Sequence, residues 1–240
     1  MNLPTDTRYF SPRPSGRESA PANLQPARII RAAAGDPGPH LTPALPAPPE
    51  IIRERDRTAE ISAPRAWRIL ARGASAYRAA LADPPEITPA VADSWRYLAD
   101  GCWSIWDKAR REIEITVVPE PEPYPGPAEM LADIRRGRFK VSAANCEHPI
   151  WLEGDNVAFR IAHDLYGHAV SGGDFGWRGE MLACSTHAPL LDSRALPALA
   201  CECIAQNGYA IASGGFGPQV CSDSPAIREL PRLLGWRGIW

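Results

Sequence analysis

Proline is concentrated near the start of this chain, where 11 of its 26 prolines lie within the first 50 residues. Proline lacks a backbone N–H and interrupts both helices and sheets. The first 60 residues are also rich in Arg and Ala, and Tyr9 and Phe10 are their aromatic residues. Such a stretch buries too little apolar surface to offset the entropy lost on ordering. We therefore predict a disordered Pro/Arg-rich arm over residues 1–60 and a single folded domain over residues 61–240.

Charge and hydropathy narrow the classes of partner. The net charge is −2, but Arg is in excess near the amino terminus and acidic residues are in excess elsewhere. A basic arm on an acidic body can bind phosphate, so nucleic acid is one expected partner, although a solvated linker has the same composition. We find no apolar run of about 18 residues and no secretory signal before the six cysteines. The expectation is a cytoplasmic protein with reduced thiols and no membrane partner.

The folded part is predicted to be mainly α, in the α+β class: a helical bundle with a small two-stranded sheet. Apolar periodicity, proline starts and glycine stops mark the elements. Helices are predicted over residues 62–81, 89–111, 128–136, 155–170, 177–187, 194–213 and 226–234. Strands are predicted over residues 113–118 and 139–142.

Residues 143–220 carry polar side chains inside apolar helices. A charged group in such a helix is costly unless it is paired or bound to metal, and metal sites in helical bundles are built from facing helices. The predicted ligands of a divalent cation (Mn, Fe, Mg or Zn) are His163, Asp164, His168, Glu180, His187 and Glu202. The predicted catalytic residues are Glu180 and Glu202, with Glu202 as ligand or general base, and Gln206 and Tyr209, which would position the substrate. His148 is a weaker candidate from a loop.

Several of these residues also have an ordinary structural explanation. Acidic residues are favoured in the first turn of a helix and imidazoles in the last, which accounts for Glu180, His168 and His187. His163 can be a hydrogen-bonded core histidine. On an ideal α-helix, His163 and His168 are about 140° apart, so both reach one ion only if the helix breaks at Gly167. This spacing also differs from the His-Glu-x-x-His pattern of zinc proteases.

Two resemblances involve these residues. His163–Asp164, with His168 four residues after the Asp, resembles the His-Asp pair of HD-domain phosphohydrolases, helical metal enzymes that cleave phosphoester bonds. That family also uses an upstream His and a downstream Asp, for which this chain offers His148 and Asp192. More broadly, residues 123–219 resemble a family of phage- and plasmid-encoded proteins. The shared positions are residues 156–160, the HDxxGH motif, Gly179–Glu180, His187, Glu202, Gln206 and residues 215–218. This second resemblance implies one structural unit and no particular activity.

Two functions of different classes follow from the sequence. The first is a metal-dependent hydrolase, with a phosphoester favoured over a peptide and a small-molecule substrate also allowed. In that function the ion lowers the pKa of a bound water. The second is a non-catalytic nucleic-acid- or protein-binding module of a mobile element, in which the polar cluster is structural.

Overall fold

The computed structural model describes residues 41–236, which form a mainly helical fold with one small sheet. The helices are α1 Pro49–Ala59, α2 Ala63–Ala82, α3 Pro89–Ala109, α4 Pro127–Arg135, α5 Glu153–Ala162, α6 Ala169–Ser171, α7 Trp177–His187, α8 Leu196–Ala200, α9 Gln206–Ser213 and α10 Pro225–Leu234. The strands are β1 Glu114–Val118 and β2 Arg138–Ser142. Short 3₁₀ turns cover Ala188–Leu190 and Ser193–Ala195. The predicted fold class is confirmed.

The folded part begins earlier than the sequence predicts. Residues 1–40 of the predicted arm lie outside the described residues, but α1 falls within the part of the arm that the structure describes. Ile51 and Thr58 of α1 are buried, and the helix packs against α7. The prediction of disorder through residue 60 is therefore wrong for α1, which is a helix because it packs against α7 and buries Ile51.

Helices α2 and α3 form much of the core. The hydroxyl of Thr88 accepts a hydrogen bond from the backbone N–H of Val91 and caps α3. The predicted stripe of α3 is buried at Trp95, Leu98 and Cys102, each 0% exposed. Helix α9 packs along α2 at Gly208, where a Cβ would lie 2.6 Å from a backbone oxygen of α2. A glycine therefore permits this close approach of the two helices.

The two strands pair in parallel, joined by α4, so that Ile115 lies opposite Phe139 and Val117 opposite Val141. Phe139 and Val141 are buried in a second, smaller apolar cluster that also includes Met130 of α4. The same cluster contains residues from the helix that begins at Glu153. The sheet therefore supports one side of the helix that carries the HDxxGH motif.

Two of the predicted helices are interrupted by π-helical turns. The first π turn, His163–His168, lies between α5 and α6, and the second, Cys201–Ala205, lies between α8 and α9. In each, the backbone N–H that follows the turn reaches the carbonyl five residues back. The sequence predicts uninterrupted helices here, because hydrophobic periodicity does not reveal one extra residue in a turn. Such π turns are frequent at functional sites.

All six cysteines are buried and free. None of the helices in the described part of the chain is long and apolar enough to cross a membrane.

Candidate metal centre

The first π turn brings two histidines together. Hydrogen bonds from residue i to i+5 place residues five apart next to each other along the axis, and His163 and His168 have this spacing. Their rings meet edge to face with centroids 4.9 Å apart. In an ideal α-helix, both could reach one ion only if the helix broke at Gly167. The chain instead widens into a π turn and continues as a helix to Gly172, whose φ of 70° ends it.

Glu180 of α7 lies across from the two histidines. Its Oε2 is 3.2 Å from Nε2 of His163, and its Oε1 is 3.5 Å from Nε2 of His168. One ligand atom from each of the three residues can be chosen so that all lie within 4.8 Å of one another. These three residues, here called the His2Glu group, could therefore hold a metal ion. Helix α7 comes close because Gly167 packs on it, with a Cβ at that position meeting Ala183 at 3.0 Å.

The second ring nitrogen of each histidine, Nδ1, also has a partner. Nδ1 of His168 is 3.0 Å from the carbonyl oxygen of Gly173. Because a carbonyl only accepts, the hydrogen of a neutral His168 resides on Nδ1, which leaves the Nε2 lone pair directed towards Glu180. Nδ1 of His163 is 3.6 Å from the thiol of Cys203 in the second π turn. This arrangement is typical of metal-binding histidines, whose second nitrogen is held by the protein.

Asn207, which is not among the residues predicted from the sequence, contacts Glu180. Its side-chain amide donates to Oε2 of Glu180 at 3.2 Å and to the backbone carbonyl of Cys203 at 2.7 Å. The second π turn shifts the register of α9, so Asn207 reaches Glu180 whereas the predicted Gln206 is buried elsewhere. The sequence could have indicated Asn207 only if the π turn Cys201–Ala205 had been predicted.

Without a cation, the His2Glu group has the electrostatics of a buried ion pair. Burial alone would lower the pKa of His168, but Glu180 raises it to about 9. Burial opposes ionisation of Glu180, yet the two histidines hold its pKa well below the usual range. The side chains of His163 and Glu180 are 11% and 19% exposed, whereas that of His168 is 1% exposed. The group is thus reachable from solvent on the side of His163 and Glu180.

Two of the predicted ligands lie beside the His2Glu group and outside it. Asp164 interacts electrostatically with both histidines, and burial raises the pKa of its carboxyl. His187 is 0% exposed, and its ring centroid is 6.1 Å from that of His163. Burial, followed by the charge of His163, lowers the pKa of His187 to about 3. His187 is therefore a neutral histidine behind the group, with Nε2 3.8 Å from the thiol of Cys102.

Glu202 belongs to a second buried polar cluster. Its Oε1 accepts from the indole N–H of Trp95 at 3.2 Å and lies 3.4 Å from Nε2 of His148. Nδ1 of His148 accepts from the backbone N–H groups of Ile150 and Trp151, so its hydrogen is on Nε2 and points to Glu202. The weaker candidate His148 thus contacts Glu202, and the Glu202 charge is satisfied by protein donors.

The two predicted substrate-positioning residues lie close to the second cluster. Gln206 is 8% exposed and interacts with the hydroxyl of Tyr77. The ring of Tyr209 packs against Tyr77 with centroids 5.5 Å apart, and Gly217 lies against its edge. The structure therefore divides the predicted site into the His2Glu group and a separate set around Glu202.

Comparisons with protein-family models, with curated proteins and with solved structures give no match to this chain.

Proposed function

We propose that this protein is a metal-dependent hydrolase that binds one divalent cation through His163, His168 and Glu180. The observation that carries the proposal is the convergence of two imidazole nitrogens and a carboxylate within 4.8 Å. Nitrogen and oxygen ligands of this kind suit Zn, Mn or Fe, and Mg less well because it prefers oxygen. The proposed ligand set is smaller than the six residues that the sequence predicts.

A catalytic role is favoured over a purely structural one by the number of ligands. Structural zinc sites are closed by four protein ligands, whereas catalytic sites have three and keep a position for water or substrate. The partial exposure of Glu180 and His163 gives water a route to that position. A bound divalent cation lowers the pKa of a coordinated water towards neutrality and polarises the bond that is attacked.

The residues around the group have distinct roles in this proposal. Gly173 holds His168 in the tautomer that a metal requires. Asp164, the residue after His163, interacts electrostatically with both histidines and with Glu180 and is the acid–base candidate in this proposal. Glu202, assigned as general base from the sequence, is occupied by Trp95 and His148 and is not part of the proposed chemistry.

A phosphoester is the favoured substrate class. The ligands are largely buried, so a substrate must bring a compact group to the cation. A terminal phosphoryl group does this, whereas a peptide bond within a chain needs a cleft that accepts residues on both sides. The proposed ligand set keeps His163 of the HD-like motif and leaves Asp164 outside it.

The experiment compares Glu180→Gln with the control variant Glu129→Gln. Glu129 is an exposed acid in the first turn of α4, as Glu180 is an acid in the first turn of α7. Protein purified without chelator is analysed for metal and assayed on a nitrophenyl phosphomonoester, a phosphodiester and a peptide. We expect about one metal per chain and phosphoester hydrolysis in the wild type and in Glu129→Gln, with both lost in Glu180→Gln. Absence of metal and of stabilisation by Zn²⁺, Mn²⁺ or Fe²⁺ would refute the proposal and favour the binding-module alternative.

A further inference from the structure

Asn207 connects the proposed ligand Glu180 to the second π turn. Its Nδ2 lies 3.2 Å from Oε2 of Glu180 and 2.7 Å from the carbonyl oxygen of Cys203. Both partners are acceptors only, so the identity of the amide nitrogen follows from its surroundings. The two hydrogens of the amide account for the two bonds.

We propose that Asn207 is a positioning residue for the metal centre, an inference that rests on the proposed function. A glutamate side chain has several rotamers, and holding one of them before the ion arrives reduces the entropy lost on binding. The bond from Asn207 to Oε2 directs Oε1 towards His168. The carboxylate is thereby fixed between the two imidazoles.

The second bond of Asn207 extends this effect to His163. The carbonyl of Cys203 that accepts it belongs to the residue whose thiol lies 3.6 Å from Nδ1 of His163. One side chain therefore holds both the carboxylate and the backbone segment behind an imidazole. Partners of metal ligands in this position typically change metal affinity by about 10- to 100-fold.

The test separates the two bonds of Asn207. In Asn207→Ser, the short hydroxyl can still bond the carbonyl four residues back, as serines in helices do, but it does not reach Glu180. Asn207→Ala removes both bonds. The matched control is Ser213→Ala, which removes a 2.7 Å bond from Ser213 to the carbonyl of Tyr209, also four residues back in α9.

Zn²⁺ is titrated into metal-free protein in competition with a chromophoric chelator, and Co²⁺ is added to a second sample for its visible spectrum. We expect the Kd for Zn²⁺ to rise at least about 10-fold in Asn207→Ser and Asn207→Ala, with an altered Co²⁺ spectrum. The Kd in Ser213→Ala should stay within about twofold of the wild type, and the melting temperature of metal-free Asn207→Ser should be close to that of the wild type.

The outcomes distinguish this inference from the hydrolase proposal. A wild-type Kd in Asn207→Ser overturns the positioning role and leaves the metal site intact. Equal weakening in Asn207→Ser and Ser213→Ala also overturns it, because the effect would then come from the helix. If the wild type binds Zn²⁺ and Asn207→Ser weakens it while no substrate is hydrolysed, the positioning role holds and the hydrolase proposal fails. If the wild type does not bind Zn²⁺, both fail.

Discussion

Removing the charge of Glu180 should destabilise the metal-free protein in a pH-dependent way. The pKa of His168 is raised from 6.5 to about 9 by Glu180. At about 1.4 kcal/mol per pH unit, this corresponds to roughly 3 kcal/mol of folding free energy. The lowered pKa of Glu180 reflects the same contacts, so the two shifts describe one stabilisation. Because the Glu180 side chain is 19% exposed, screening by solvent reduces the figure to about 2 kcal/mol.

The sign follows from which state binds the proton more tightly. A histidine with a raised pKa stabilises the folded state fully below its unfolded pKa, here about 6.5, and the stabilisation is lost as the pH rises through about 9. The pKa of Glu180 is lowered in the folded state, so the carboxylate stabilises the fold above its unfolded pKa. This stabilisation is lost progressively as the pH falls below about 4 and Glu180 becomes protonated. The difference between wild type and Glu180→Gln is therefore largest at about pH 5–6.5.

Urea denaturation in the presence of chelator measures this difference. We expect Glu180→Gln to lose about 2 kcal/mol at pH 6 and about 1 kcal/mol or less at pH 9.5. His168 is largely neutral at pH 9.5, whereas His163 keeps part of the interaction, because Cys203 and Glu180 outweigh burial and raise its pKa to about 10. Glu129→Gln is the control, since Glu129 is an exposed acid in the first turn of α4, and its effect on stability should be small at both pH values. An equal loss for Glu180→Gln at pH 6 and 9.5 would refute the ion-pair description.

Three further predictions concern packing, the second cluster and metal binding. Gly167→Ala places a Cβ 3.0 Å from Ala183. We expect urea titration to show about 1–3 kcal/mol of destabilisation and the Kd for Zn²⁺ to rise at least about 10-fold. An unchanged Kd would contradict this reasoning. Glu202→Ala leaves the N–H donors of Trp95 and His148 without their acceptor. We therefore expect the free energy of unfolding to fall by about 2–4 kcal/mol, while elemental analysis finds the same metal content as in the wild type. Loss of metal from a folded Glu202→Ala variant would indicate that Glu202 is a ligand. Because bound histidines must be deprotonated, the rise in melting temperature caused by Zn²⁺ should grow between pH 6 and pH 8 in differential scanning fluorimetry, and equal rises would argue against histidine ligands.

Much of the fold could be predicted because the residues that begin and end its helices and strands are local sequence signals. Prolines begin α2 and α3, Gly172 and Gly214 end two helical runs with positive φ, and period-two apolar residues mark both strands. Helix α1 was missed because its buried face is short and lies in a proline-rich region. The two π turns cannot be predicted from the sequence, because one extra residue in a helical turn changes neither the composition nor the apolar periodicity.

The candidate site could be predicted only in part, for a related physical reason. The sequence shows that His163, Glu180 and Glu202 lie in apolar helices and need partners, but it does not show which partners they find. Glu202 is satisfied by Trp95, 107 residues away in the chain, and a pairing at that separation has no local signature. The meeting of His163 with His168 depended on the π turn, and α-helical geometry placed them on different faces.

The central claim is that one divalent cation binds among His163, His168 and Glu180. Anomalous difference maps from crystals soaked in Zn²⁺ or Co²⁺, recorded above and below the metal edge, test it most directly. The account predicts a single strong peak about 2.0–2.2 Å from Nε2 of both histidines and from a carboxylate oxygen of Glu180. A map with no peak among these three residues, or with its strongest peak at the cluster of His148 and Glu202, would contradict it.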